Sequence, residues 1–315
     1  MNIRFLICLF LIISVVGCTS QGNKQGNEKV ENTVTAPATP KNFERATPPA
    51  MMTNPKDRAN YLVTHFWDKF NFRDTMYCHV PSITEQAFVD FVYELNNASP
   101  AKVSEGIKKM LTNAEEDAVM YEYFFKLGEK YLYHPNSEFR NDEHFVPFLE
   151  HIIANPRLTD DHKVRPKHLL ELALKNRAGT KASDFSYTLA SGNTGRLYSI
   201  SSKYLLVMFF NPDCFECQRT TDLLKKDESI ASSIASGSLK VLAVYPDENL
   251  YLWQKHIDKI PSTWINGYDK SLELRNKELY DLKAIPTLYL LDKDKNVIFK
   301  DVSVGEISDY LVKNK

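Results

Sequence analysis

The chain has 315 residues, 39 basic and 40 acidic side chains, a formal net charge of −1 at pH 7, and five cysteines. That length accommodates two domains of ~100–200 residues each. Balanced charge without a basic stripe interleaved with aromatics excludes nucleic acid as a partner. So few cysteines exclude a disulfide-stapled scaffold.

Residues 1–17 follow the order of a secretory signal: Arg4 is a short positive n-region and Phe5 to Val16 an apolar h-region. The apolar run is shorter than the roughly 20 residues a membrane-spanning helix needs. It ends in Val15-Val16-Gly17-Cys18, which resembles the lipobox of bacterial lipoproteins. That resemblance implies cleavage before Cys18 and lipid chains on Cys18, anchoring the chain in the cell envelope and facing the periplasm. A buried N-terminal helix with an incidental cysteine is the weaker reading, because charge, apolar run, small residue and cysteine come in the right order. Residues 18–54 are rich in Gln, Asn, Gly, Lys, Thr and Pro, a composition unable to bury enough surface to fold. They read as a tether with a coil reach of about 30–35 Å.

Residues 55–178 read as an all-helical domain of about six helices. Leu62, Val63, Phe66, Trp67 and Phe70 recur at helical spacing. Ser82-Ile83-Thr84-Glu85 has the form of a capping box, and Ser99-Pro100 places a cap and an N1 proline before Val103 and Ile107. Val119, Tyr123, Phe124, Leu127 and Tyr131 form a stripe that His134-Pro135 stops. Phe145 to Ile153 and Val164 to Leu174 follow; Pro147 and Pro166 inside them are expected to kink or restart those helices.

Residues 179–315 change pattern. Phe185 to Leu189 and Arg196 to Ile200, joined through Gly192 and Gly195, predict a hairpin. The unbroken apolar run Leu205 to Phe210 predicts a central strand covered on both faces. A helix from Cys214 through Leu224 and an apolar β-rich run from Leu239 to Val244 complete a right-handed βαβ unit. Helices are expected near Leu250 to His256 and Leu272 to Tyr280. Strands follow at Thr287 to Leu291 and Val297 to Asp301, then a closing helix at Gly305 to Val312.

Cys214-Phe215-Glu216-Cys217 sits where the central strand meets the next helix. A helix N-terminus offers unpaired N–H groups and partial positive charge, both favourable to a thiolate. The same spacing binds zinc, but a structural zinc site wants four Cys or His ligands, and this chain offers one pair. No metal and no cofactor are expected. A purely structural disulfide would close too short a loop to stabilise much. Redox chemistry is the reading that remains.

Ala284-Ile285-Pro286-Thr287 supplies the second element, since a proline heading an apolar strand cannot donate to the sheet. With the Cys pair upstream, this resembles the thioredoxin fold, an α/β thioredoxin-like fold preceded here by the all-α domain. The resemblance implies a cis Ile285–Pro286 bond packed against the active-site cysteines. Phe209-Phe210-Asn211-Pro212-Asp213-Cys214 resembles the exported TlpA-like branch of thiol–disulfide oxidoreductases. Residues 55–178 resemble the helical domain of unknown function that precedes such modules in lipoproteins of Bacteroides-like bacteria, on pieces such as Phe66-Trp67-Asp68 and Tyr131-Leu132-Tyr133-His134-Pro135. Departures from the family are Asp213 where Trp is usual, Met208 where a buried Asp is usual, and Phe215-Glu216 between the cysteines. The charges of Asp213 and Glu216 oppose a thiolate, which points towards reductase behaviour.

The expected roles are Cys214 as attacking thiolate and Cys217 as resolving thiol. Pro286, Ile285, Pro212, Phe215 and Glu216 shape the site, and the backbone beside Pro286 offers an edge to an extended client segment. Partners are then protein thiol or disulfide clients, a membrane or envelope electron donor, and the membrane through the lipid anchor. A binding lipoprotein using the fold as scaffold is the alternative. A peroxiredoxin-like peroxidase is a third reading, disfavoured because Asn211 stands where that class has Thr or Ser. Cys78 is expected to be a small buried hydrophobe rather than a redox partner. Trp67, Trp253 and Trp264 are expected to pack.

Overall fold

The computed structural model describes residues 42–314, so the signal, Cys18 and most of the tether lie outside the described residues. Six α-helices come first among these: α1 (Pro55–His65), α2 (Pro81–Leu95), α3 (Pro100–Ala114), α4 (Ala118–Gly128), α5 (Asp142–Ala154) and α6 (Asp160–Leu174). Their shared core is aromatic. Trp67 stacks on Phe43 at 5.6 Å between ring centroids and meets Phe70 and Phe124 edge-on at 5.3 and 5.1 Å. Offset and edge-to-face contacts of this kind add to simple area burial.

Several of these rings come from outside helices. Phe66 to Phe72 follow the end of α1, and Phe43 belongs to the expected tether. The C-terminal end of that tether is therefore not a free coil: Phe43 is driven onto the core by its ring, and Arg45 pairs with Asp90 at 2.5 Å. Close helix approach needs Gly106 in α3, where a Cβ would lie 2.5 Å from Val63 Cγ1 and 2.6 Å from the Val63 carbonyl oxygen of α1.

Two local expectations are corrected. No capping box forms at Ser82, because α2 already starts at Pro81 with its fixed φ at the first turn. Thr84 is buried and its hydroxyl donates to the Tyr77 carbonyl at 2.8 Å, while Glu85 is taken by Lys130 and Tyr131. Pro147 and Pro166 lie within continuous α5 and α6 and restart neither helix. A single π-helical turn, Glu129–Tyr133, extends α4 up to His134-Pro135.

The C-terminal part contains β1 (Ser186–Leu189), β2 (Thr194–Arg196), β3 (Tyr204–Phe209), α7 (Phe215–Lys226), α8 (Glu228–Ala235), β4 (Leu239–Tyr245), α9 (Leu250–Lys255), β5 (Ile265–Tyr268), α10 (Glu273–Asn276), β6 (Thr287–Asp292), β7 (Val297–Lys300) and α11 (Val304–Lys313). Among the described residues seven strands form one mixed sheet in the order β2-β1-β5-β4-β3-β6-β7. β3 runs parallel to β4 and antiparallel to β6, which places it in the interior of the sheet.

Alternation along β3 sends Leu206 and Met208 into one core, with Leu224 of α7, Ile230 of α8 and Ile307 of α11. Leu205, Val207 and Phe209 enter the other, with Phe185 and Tyr280. Covering on both faces is why the run is apolar without a break. The helix expected over Leu272 to Tyr280 shortens to α10, bounded by Leu272 at φ +54° and Glu278 at φ +45°. Leu197–Ser199, expected as strand, is a 3-10 turn. β5 and α8 are additional elements.

Candidate active site

β3 carries the chain to Asn211, where it turns into α7. The Asn211 side chain accepts from the Asp213 N–H at 3.0 Å, and its carbonyl accepts from the Cys214 N–H at 3.1 Å. Buried Pro212 offers its carbonyl to Gln218 at 3.2 Å. This tight turn makes Cys214 the N-cap of α7, with Cys217 N–H donating to its sulfur at 3.2 Å. A cysteine sulfur at an N-cap meets donors that a helix start otherwise leaves unsatisfied.

Both cysteines are free thiols, Cys214 half-buried and Cys217 2% exposed. Burial pushes the Cys217 thiol well up, its hydrogen bond with Cys214 adds to this, and the Asn211 N–H at 3.4 Å from its sulfur opposes it. Met208, in place of an acid, lies buried beneath, its sulfur 4.0 Å from the Thr221 hydroxyl. A half-exposed sulfur paired with a shielded one is the division of labour thiol exchange requires.

The Ile285–Pro286 bond is cis, as the resemblance implies. It lies against the cysteines: the Cys214 thiol donates to the Ile285 carbonyl at 3.4 Å. Phe215 is 74% exposed beside them, an apolar ring offered to whatever approaches Cys214. Glu216 pairs with Arg219 at 3.1 Å and Asp213 with His256 Nε2 at 3.2 Å. The Arg219 guanidinium offsets Glu216, so that carboxylate's repulsion of a thiolate is smaller than composition alone suggests, whereas the histidine beside Asp213 offsets its charge only when protonated.

His256 was not singled out from sequence, since nothing local ties residue 256 to residue 213. With Cys217, Thr221 and Asp222 it lines a cavity of about 290 Å³ beside α7. Cys78, expected to be buried, is only half-buried, packed on the edge of the helical core; its thiol is pushed up by burial with Asp117 and Asp74 nearby, and contacts Met120 Sδ at 3.8 Å. Trp67, Trp253 and Trp264 are buried.

Residues 202–297 match the family model described as thioredoxin-like, and residues 17–176 match a domain of unknown function, DUF5106. The crystal structure of a thioredoxin-like protein from Bacteroides caccae is 47% identical, with a TM-score of 0.85, covering 88% of this chain and 100% of that one. The chain belongs to the thioredoxin-like proteins. The C-terminal domain of an uncharacterized Bacteroides fragilis protein is 48% identical over 44% of this chain and 98% of its own, with a TM-score of 0.43. A domain of a possible thiol-disulfide isomerase from Cytophaga hutchinsonii is 27% identical over 45% of this chain and 95% of its own, with a TM-score of 0.39. No curated protein matches. This thioredoxin-like chain thus joins a DUF5106 helical region to a sheet whose central strand delivers two thiols opposite Pro286.

Proposed function

We propose that the protein is a thiol–disulfide oxidoreductase that reduces disulfides of polypeptide clients in the cell envelope, held to a membrane through lipidated Cys18 and facing the periplasm. One observation carries the redox reading: the half-exposed Cys214 sulfur lies between the Cys217 N–H and the Ile285 carbonyl, with the second thiol buried behind it. The order of charge, apolar run and Gly17-Cys18 supports the anchor.

Cys214 as thiolate attacks one client sulfur. The client S–S bond breaks, one client thiolate leaves, and a mixed disulfide joins Cys214 to the other. Cys217 then loses its proton, which ends on a client thiolate, and attacks the Cys214 sulfur. The second client thiolate departs, so two electrons have passed from the dithiol to the client. A dithiol donor of the envelope restores Cys214 and Cys217 by the same exchange in reverse. The reducing direction is supported at Cys217, where burial disfavours the charged sulfur and one long N–H contact stabilises it.

The test is insulin disulfide reduction by purified protein with dithiothreitol as donor. Cys214→Ser should lower the rate ~10³-fold or more. Cys217→Ser should stall as a covalent client adduct visible by intact mass. A Cys214→Ser protein that retains its rate would refute the assignment.

A further inference from the structure

The loop from Lys277 to Pro286 brings the Ile285 carbonyl to Cys214, and much of what holds that loop comes from the helical region. Lys175 Nζ donates to the Glu278 carbonyl at 2.7 Å, and the buried Asn176 amide donates to the Leu279 carbonyl at 2.8 Å. His168 of α6 lies 3.4 Å from the Glu278 carboxylate. Closest to the site, Lys283 Nζ meets Asp142 Oδ1 at the start of α5 at 2.5 Å, and sits 4.8 Å from the centre of the Tyr133 ring.

This contact is buried and charged. Lys283 is 4% exposed, Asp142 9%, and Asp281, 3.2 Å from Lys283, 5%. A second ammonium, Lys300 of β7, reaches Asp142 Oδ2 at 2.7 Å and donates to the carbonyls of Ala173 and Lys175 at 3.1 and 2.9 Å. Burial works against the Asp142 charge, but Lys283 and Lys300 overcome it and hold its carboxyl below the usual range. Ion networks removed from water add little net stability, yet losing one member leaves a charge stranded, so they enforce one arrangement. The arrangement enforced here is that of the loop beside the cysteines. Leu172 of α6 also helps line a cleft of about 300 Å³ with Ile285, Lys283, Asp247 and Arg275.

We propose that the DUF5106 region positions the client-binding edge of the redox site: Asp142 fixes the 277–286 loop through Lys283, and Leu172 of α6 adds one side chain to the cleft that takes an extended polypeptide segment of the client. Asp142 is a positioning residue, acting through Lys283 on Ile285. The inference deepens the oxidoreductase reading and rests on it. It assigns preference for polypeptide disulfides over small ones to the helical region.

Asp142→Asn decides the matter in the full chain, with kcat and KM measured separately for a disulfide-bonded peptide and for a small aromatic disulfide that engages Cys214 alone. The peptide KM should rise ~10-fold, because misplacing a binding edge is costly. The small disulfide's kcat/KM should fall by less than about threefold, because it engages Cys214 without the client-binding edge. Equal losses on both substrates, or an unchanged peptide KM, would overturn the proposal. Should Asp142→Asn fail to fold, Lys175→Met combined with His168→Ala removes holds on Glu278 without stranding a buried charge. That variant should raise the peptide KM by about threefold, and an unchanged value there is equally fatal. A wild-type protein that reduces neither substrate refutes the oxidoreductase reading itself and is recognisable as such.

Discussion

The two halves of this molecule are built from different materials. The helical region is held by rings, many of them delivered by irregular segments: Phe43, Phe66, Trp67, Phe70 and Phe72 all lie outside helices, and Phe43 reaches Phe91 and Phe124 of the helices through the other four. The sheet is held by side chains that alternate on regular strands, aliphatic ones such as Leu205, Leu206, Leu290 and Leu291, all fully buried, joined on one face by the rings of Phe185, Phe209, Tyr280 and Tyr289. A sheet core follows from alternation once both faces are covered. A ring core depends on where loops happen to place each aromatic side chain. The sheet therefore supplies a rigid frame for Cys214, whereas the helical half is a custom-shaped block whose edge reaches the loop beside it.

The sharpest way to break this comparison is to remove the hub of the ring core. Trp67→Ala should cost about 3–5 kcal/mol, the range for deleting a large buried aromatic side chain. Trp67→Phe should cost much less, because the indole N–H it removes is buried without an acceptor among the described residues. Urea unfolding followed by tryptophan-independent circular dichroism checks both. If activity in Trp67→Ala survives denaturant that melts the helical signal, the redox half stands alone; a shared midpoint shows that the two halves unfold as one.

His144 distinguishes the halves by pH. It is buried in α5, and burial pushes its imidazole down to about 4 from an ordinary value of 6.5. A histidine kept neutral by the fold binds its proton more readily when unfolded. Stability is therefore full above pH 6.5 and is lost as pH falls towards about 4, by about 3 kcal/mol in total. Asp281, whose carboxyl burial pushes up, takes up a proton more readily when folded and offsets part of that loss at the acid end. His144→Leu keeps the volume and removes the titration, so its stability should be flatter than wild type from pH 6.5 to about 4. Parallel pH curves for the two proteins would show that His144 is not the titrating group.

How much of this was legible in the sequence follows from how local each signal is. β3 announced itself because burial on both faces needs an unbroken apolar run, and α7 because it begins at the Cys pair. β5 was missed because Ile265-Asn266-Gly267-Tyr268 is short and half polar; Asn266 is there to accept the Trp253 indole N–H at 3.0 Å. α8 was missed because Ser229 and Ser233 fill its buried face where an apolar pattern would expect larger side chains. The capping box at Ser82 misled because Thr84 and Glu85 serve tertiary partners instead. The meeting of Cys214 and Cys217 with the Ile285–Pro286 turn was readable from spacing and family likeness. His256 and the grip of Asp142 on Lys283 were not, since each joins residues far apart in the chain.

That last difference sets the smallest effect expected. From composition, Glu216 and Asp213 are two negative charges beside a sulfur that must become negative. In three dimensions each is engaged, by Arg219 and by His256. Solvent-exposed pairs of this kind are worth little, so Glu216→Gln should speed Cys214 alkylation by no more than about threefold. Arg219→Gln, which frees the carboxylate, should slow it by a similar factor. Both changes should shrink as salt rises through the range where the screening length falls below about 10 Å. A tenfold or larger response to Glu216→Gln that persists at high salt would mean the carboxylate acts on the sulfur unscreened, and the arginine would then be an onlooker.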